Sequence, residues 1–164
     1  MPFTIPWLPV MAAALAYFVL GALWYGYFGE LWLKELHKRK DQLDTKDPTP
    51  YLVAALGAVL NATATAIVLG WVMPSTQTTL LAAFITTLLL GGAVVAAGAA
   101  KHYAFSGWSW KLYAIDMGHD LAGFFVMSLI IALMRGSNWE RLRPDQRSQV
   151  YLSTAPAPSS RNQR

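Results

Sequence analysis

Leu112–Met134, with the sequence LYAIDMGHDLAGFFVMSLIIALM, is the stretch that decides the fold of this chain. It is long and apolar enough for a membrane-spanning helix, which needs about 20 mainly apolar residues. It also carries three ionisable residues, Asp116, His119 and Asp120. At helical spacing these three residues fall on one side of the helix. The segment therefore predicts a membrane-spanning helix with one polar face.

The two acidic residues are costly if this face is turned toward lipid. On insertion scales an aspartate at the centre of a span costs about 2.5–3.5 kcal/mol, whereas each large apolar residue contributes only about 0.3–0.6 kcal/mol. We therefore expect Asp116 and Asp120 to face the interior of a helix bundle, to be paired, or to be neutral. If the helix enters the membrane near Lys111, its rise of ~1.5 Å per residue puts both acids in the same leaflet.

The composition is that of an integral membrane protein. The chain has 164 residues, of which 55% are hydrophobic and 13% are charged, and it contains no cysteine. This excludes disulfides, thiol catalysis and cysteine-ligated metals. The net charge of +4 comes from the loops and the tail. Basic charge beside apolar spans usually reflects topology and anionic lipid, so the lipid bilayer is the expected partner and nucleic acid is not.

The hydropathy pattern predicts an all-α, integral membrane four-helix bundle. The spans are predicted at about residues 7–28, 51–73, 80–100 and 112–134. Residues 1–135 would form the transmembrane domain and residues 136–164 a polar, mostly disordered C-terminal tail. In the second span a small residue recurs at every fourth position from Ala54 to Gly70, and the third span has Gly92, Ala96 and Ala100. Such stripes let membrane helices approach closely.

The hydrophilic loop at residues 29–50 has two interpretations. Phe28, Trp32, Leu36 and Leu43 form one helical stripe, which is typical of a short helix lying on the membrane surface. A solvated, charged loop explains the same residues equally well. The two long loops carry seven basic residues, against four close to the spans on the terminal side, Arg135, Arg141, Arg143 and Arg147. The positive-inside rule therefore favours loops in the cytoplasm and both termini outside it, by a small margin. We expect a multi-pass protein of the bacterial inner membrane.

Two motifs carry a resemblance to a known family. They are FVLGALWYGYFGELW at residues 18–32 and FSGWSWKLYAIDMGHD at residues 105–120. The first resembles the first-span signature, and the second the entry into the last helix, of the small bacterial membrane proteins called domain of unknown function 1761. The resemblance covers about residues 10–135. It implies a four-helix membrane protein and no established activity.

The predicted topology brings polar and aromatic residues from all four spans into one leaflet. Spans one and three end, and spans two and four begin, at the side of the two long loops. Helices about 10 Å apart would let these side chains converge. The expected polar intramembrane cluster consists of Trp24, Tyr25, Asn61, His102, Asp116, His119 and Asp120.

Several functions fit such a cluster. One interpretation is a structural network that fixes the register of the helices. The leading functional hypothesis is a binding or interaction protein with a polar loop-side intramembrane pocket. The alternative is a transporter-like homo-oligomer in which the Asp/His cluster of the last span relays a proton, a cation or a small polar solute.

Metal, haem and enzymatic functions are weaker hypotheses. Asp116, His119, Asp120 and His102 are plausible metal ligands, but their spacing matches no metal-binding signature. Haem would rest on His102 and His119 alone. The sequence has no Ser-His-Asp order, phosphate-binding glycine loop or HExxH pattern. We therefore expect no enzyme activity, no catalytic or metal-ligating residue and no cofactor.

Overall fold

Four long helices make up most of the structure, a computed structural model that describes residues 5–43, 46–73 and 79–140. The helices are α1 (Trp7–Glu35), α2 (Thr49–Val72), α3 (Thr79–Ser106) and α4 (Trp110–Glu140). The described part of the chain contains no strand. Each helix is long and apolar enough to cross a membrane, with a mean hydropathy of 1.7 to 2.3 in its span. The predicted all-α, four-span membrane bundle is therefore confirmed.

α1 is longer than the span predicted at residues 7–28. It continues without interruption through Gly26 and Gly29 and ends at Glu35. Phe28 and Trp32 therefore belong to the transmembrane helix and not to a separate helix on the membrane surface. The described part of the following loop contains only a short 3₁₀ helix, Lys40–Gln42.

α3 changes its winding in the middle. It is α-helical over Thr79–Thr87, π-helical over Leu88–Ala96 and α-helical again over Ala97–Ser106. It ends at Gly107, whose φ of 66° is the left-handed conformation that favours glycine. The amide of Trp108 donates to the carbonyl of Tyr103, so a three-residue turn is enough to lead into α4.

α4 is also longer than the span predicted at residues 112–134. It begins at Trp110 and runs to Glu140, so the first residues assigned to the tail are helical. The rest of the predicted disordered tail, residues 141–164, lies outside the described residues.

The core of the bundle is built from small side chains. Ala58, Ala62 and Ala66 of α2 are at most 2% exposed and form the predicted small-residue stripe. They share one core cluster with residues of the other three helices, among them Val10 and Met127. Burial of such small residues lets the helix backbones approach closely.

The stripe predicted on α3 is not its buried face. Gly92, Ala96 and Ala100 are half-buried, whereas the buried residues of α3 before its last turns are Ala82, Ala83, Thr86, Thr87 and Gly91. A side chain at Gly91 would meet Leu121 and Phe124 of α4 at 3.1 and 3.2 Å. The periodicity of the small residues predicted a stripe but not the direction in which the helix turns it.

The loop-side part of α2 packs differently from the rest of that helix. Its buried residues begin at Ala58, and the stretch 51–56 is exposed at every position. Six consecutive residues cover more than one full turn of a helix, at 3.6 residues per turn. This part of α2 therefore has no face packed against the other helices in the described structure.

Candidate functional site

Asp116 is the most fully bonded acid of α4. Its Oδ1 accepts hydrogen bonds from the Tyr25 hydroxyl at 2.8 Å and from Trp32 Nε1 at 3.0 Å, both on α1. Its Oδ2 accepts a hydrogen bond from the Tyr103 hydroxyl of α3 at 2.5 Å. One carboxylate thus links three helices at the loop side of the bundle.

These three donors explain how Asp116 is accommodated inside a membrane bundle. A buried carboxylate is costly unless its oxygens are hydrogen-bonded. Bonds from O–H and N–H donors to an ionised carboxylate are among the stronger hydrogen bonds in proteins. Tyr25 and Trp32 are seven residues apart, or about two turns, so α1 presents both donors on one face. This geometry suits a carboxylate that holds helices together.

Asp120 has a different environment one helical turn further along α4. Its Oδ1 accepts a hydrogen bond from the Tyr17 hydroxyl at 2.7 Å and lies 3.1 Å from Nδ1 of His119. Among the described residues no donor bonds to its Oδ2. Its side chain is 24% exposed. Asp120 is therefore a partly accessible carboxylate with one oxygen available to a further donor or cation.

His119 lies buried beside Asp120. Its ring is surrounded by the rings of Tyr17, Tyr25 and Trp24, at centroid distances of 4.9, 5.3 and 6.2 Å. When Asp120 is ionised it can only accept, and Nδ1 of His119 then carries the proton of their hydrogen bond. The other ring nitrogen, Nε2, is buried without a hydrogen-bond partner in the described structure.

Glycines allow α1 and α4 to approach closely at this site. A Cβ at Gly118 would lie 2.9 Å from the Trp24 ring, and one at Gly123 would lie 2.3 Å from the Tyr17 ring. A Cβ at Gly21 would lie 3.1 Å from Nε2 of His119. The aromatic side chains thus occupy space that a larger residue at these positions would fill.

Five of the seven residues predicted for the cluster lie together in the structure. They are Trp24, Tyr25, Asp116, His119 and Asp120. Trp24 contributes through its Nε1, which donates to the Ile115 carbonyl at 3.0 Å, and through its ring beside His119.

His102 and Asn61 lie apart from this group. The His102 side chain is exposed and packs edge-on against Trp108, with ring centroids 5.2 Å apart. Asn61 accepts a hydrogen bond from Thr65 through its backbone carbonyl, and among the described residues its side chain bonds to neither acid. Neighbouring helical residues point about 100° apart, so α3 turns Tyr103 inward and His102 outward.

Three residues of the site were missed by the sequence analysis, namely Tyr17, Trp32 and Tyr103. A signal existed for the first two. Aromatic residues recur seven or eight positions apart along α1, first Tyr17, then the pair Trp24 and Tyr25, then Trp32. This spacing predicts one aromatic face of the helix. Tyr103 carried no comparable signal.

The metal hypothesis lacks a site with three ligands among the described residues. These residues contain no group of three or more His, Cys, Asp or Glu side chains that could hold a metal ion. A groove of about 510 Å³ lies elsewhere, along α1, and is lined by six residues of that helix and Val126. All of its lining residues are apolar, and neither acid is among them.

Fold and site together define a small multi-pass membrane protein in which acids on the last span meet aromatic donors from the first and third. A family model described as "Protein of unknown function (DUF1761)" matches residues 8–132, and the chain belongs to this family. The resemblance carried by the two motifs is thereby confirmed. No curated protein and no solved structure matches the chain.

Proposed function

We propose that the protein is a non-enzymatic membrane protein that binds a proton or a small cation at Asp120. The observation that carries this proposal is the contrast between the two acids. Asp116 has donors on both oxygens, whereas Asp120 has donors on one oxygen and a side chain that is 24% exposed. An incompletely bonded carboxylate inside a membrane bundle is the usual form of an ion or proton site.

The packing of α2 supports access to this site. Arg135 of α4 donates to the Ala66 carbonyl of α2 at 3.2 Å, which relates the heights of the two helices. In a four-span protein α2 and α4 cross the membrane in the same direction. The arginine side chain reaches back toward the start of its helix by about one turn, so Ala66 lies near the height of Ile131. Asp120 lies eleven residues before Ile131 and is therefore about level with Ala55, in the exposed stretch 51–56 of α2. A ligand could therefore reach Asp120 from the loop side, where α2 is not packed against the bundle.

The experiment is a carboxyl titration in lipid bilayers. The protein is labelled with ¹³C at the aspartate side chains, and the Cγ signals are followed by solid-state NMR from about pH 4 to about pH 9, where unperturbed and raised carboxyls titrate. The titration is repeated with sodium and with the bulky cation N-methylglucamine. We expect the Asp120 signal to respond to pH, to sodium or to both.

Two variants make the experiment specific. Asp120→Asn should abolish the response, whereas Glu30→Gln, which removes an exposed acid of α1, should leave it intact. An Asp120 signal that stays constant across all conditions would rule out the proposal.

A transporter-like homo-oligomer is the second candidate. The partial exposure of Asp120 within a membrane-spanning helix favours it, because relays of charge require an acid that exchanges with its surroundings. Proton-dependent flux in liposomes that Asp120→Asn abolishes would support transport. Binding at Asp120 without flux would support the first candidate. For location, we propose the bacterial inner membrane.

A further inference from the structure

Two hydroxyl groups in the middle of the bundle have no hydrogen-bond partner among the described residues. They are Thr86 Oγ1 of α3 and Ser128 Oγ of α4, and both residues are 0% exposed. A buried hydroxyl without a partner costs free energy, because it has lost its bonds to water without replacing them. Each such group in a native structure therefore requires an explanation.

Other hydroxyls of the same helices show what is ordinary here. Thr63, Thr65 and Thr87 each donate to the carbonyl four residues earlier, at 2.8 Å. This bond to the helix backbone is the usual solution for a hydroxyl within a helix. Thr86 and Ser128 do not use it, so their hydroxyls remain available to another partner.

Helix register sets the two hydroxyls at one height in the bundle. Gly91 of α3 lies against Leu121 and Phe124 of α4. The two helices are antiparallel, so a step toward the start of α3 matches a step toward the end of α4. Thr86 lies five residues before Gly91, and it is therefore level with the residue about five positions after the Leu121–Phe124 contact, near Ser128. α2 adds a third hydroxyl, that of Thr65, at about this height. Thr65 lies seven residues before the end of α2 at Val72, and Thr86 lies seven residues after the start of α3 at Thr79.

We propose that Thr86 and Ser128 bind a single water molecule within the bundle. Each hydroxyl can donate to the water and accept from it, and the Thr65 oxygen, which already donates to the Asn61 carbonyl, can still accept. A buried water typically makes about three hydrogen bonds to groups that would otherwise be unsatisfied. Three hydroxyls from three helices provide that number.

This water site is separate from the proposed site at Asp120. Ser128 follows Asp120 by eight residues, or about 12 Å along the helix. Phe124 and Met127, which are 2% and 0% exposed, lie between them on α4. The water-site proposal does not rest on the proposed function, and either could fail without the other.

The first test compares the thermal stability of Thr86→Val, Ser128→Ala and the double variant in detergent. If both hydroxyls hold one water, each single variant lowers Tm, and the double variant lowers it by less than the sum, because the first loss already weakens the water. If the hydroxyls are unpartnered, removing either one raises Tm, which would overturn the proposal. Thr87→Val serves as a control, because its hydroxyl already bonds to the Ala83 carbonyl and should not couple to Ser128.

The second test detects the water directly in the unmodified protein. Solid-state NMR in bilayers can transfer proton polarisation from water to nearby carbons. We expect transfer to the Thr86 and Ser128 Cβ atoms, none to the equally buried side chain of Ile131, and its loss at Ser128 in Thr86→Val. Absence of transfer would overturn the proposal. A direct Thr86–Ser128 bond would give coupled Tm losses without transfer and would also overturn it.

Discussion

Asp116 and Asp120 have the same side chain on the same face of α4, yet α1 gives them different partners. Asp116 lies opposite Tyr25 and Trp32, whereas Asp120 lies opposite Tyr17 alone. The number of donors on each carboxylate separates the two hypotheses raised by the sequence. Asp116 fits the structural network, and Asp120 fits the binding site.

This difference predicts that the same substitution changes the stability of the protein by different amounts at the two positions. Asp116→Asn replaces one accepting oxygen by an amide that cannot accept, and it removes the charge, so we expect the free energy of unfolding to fall by about 1–3 kcal/mol. Asp120→Asn can direct its amide toward the position without a donor, so we expect a change below about 1 kcal/mol. Equilibrium unfolding in detergent measures both. Equal losses in the two variants would contradict the assignment of separate roles.

Glycines at the α1–α4 contact lead to a second prediction. Gly123→Ala would put a Cβ 2.3 Å from the Tyr17 ring, so either that ring or the two helices must shift. Overpacking of this kind typically costs about 1–3 kcal/mol, and the Tyr17–Asp120 hydrogen bond should lengthen as well. Thermal unfolding of the variant is the measurement.

Gly57→Ala is the matched control for this substitution. A Cβ at Gly57 would meet nothing within 4 Å. Alanine has the higher helix propensity, by about 0.5–1 kcal/mol, so this variant should be as stable as the parent or more stable. A Gly123→Ala variant that matches Gly57→Ala in stability would show that the close contact between α1 and α4 is absent.

The sequence predicted much of the site but not its bonding. Insertion energetics required Asp116 and Asp120 to face other helices, and alternation of the spans brought the Trp24–Tyr25 end of α1 into the same leaflet. The sequence could not predict the rotation of each helix about its own axis. That rotation selects Tyr103 over the adjacent His102 and leaves Asn61 outside the group.

At the scale of elements, helix ends were less predictable than helix positions. Hydropathy located all four spans, but α1 and α4 each continue past the apolar stretch, to Glu35 and Glu140. Hydropathy reports where lipid begins and ends, whereas a helix continues as long as its backbone bonds are favourable. In α1 the continuation has a function in the fold, because it carries Trp32 to Asp116.

The open loop-side part of α2 predicts a pattern that can be measured residue by residue. With a spin label at successive positions, oxygen accessibility should be uniformly high across residues 51–56. It should fall every third or fourth residue from Ala58 onward, where Ala58, Ala62, Ala66 and Leu69 are buried. Measurements are made in bilayers by electron paramagnetic resonance.

Residues 51–56 and the residues from Ala58 onward serve as controls for each other, because both carry the same label on the same helix. If Ala54 and Ala55 proved protected while their neighbours remained accessible, another helix would cover this part of α2. That result would remove the proposed route to Asp120 and would indicate a second copy or another partner.

At the scale of the whole molecule, the loops carry the charge and the spans carry the contacts with lipid. The charged residues of the described first loop are exposed, and Arg39 forms an ion pair with Asp41 that lowers the pKa of the Asp41 carboxyl. Lys101, near the end of α3, and Lys111, at the start of α4, are exposed on the same side of the bundle. The side where Asp116 and Asp120 lie thus carries seven lysines and arginines, against four that follow closely on the end of the fourth span, Arg135, Arg141, Arg143 and Arg147.

This distribution predicts the orientation of the protein in the membrane. Loops rich in lysine and arginine remain in the cytoplasm, so we expect the loop side to be cytoplasmic and both termini to lie on the other side. The chain has no cysteine, so a single introduced cysteine reports without background. Lys38→Cys tests the first loop, and Ser159→Cys tests the C-terminal end. A membrane-impermeant maleimide added to intact cells should label Ser159→Cys alone, and both variants should be labelled once the membrane is opened.

The opposite labelling pattern would show that the protein has the reverse orientation. It would also change the side of the membrane from which Asp120 is proposed to be reached. The exposed stretch 51–56 of α2 lies on the loop side, so by the proposed route a proton or cation would reach Asp120 from the cytoplasm if the loop side is cytoplasmic. Labelling of Lys38→Cys alone on intact cells would instead show that this stretch of α2 lies toward the outside of the cell. Labelling of both variants on intact cells would mean that the chain inserts in both orientations, as its weak charge bias permits, and Asp120 would then be reached from either side.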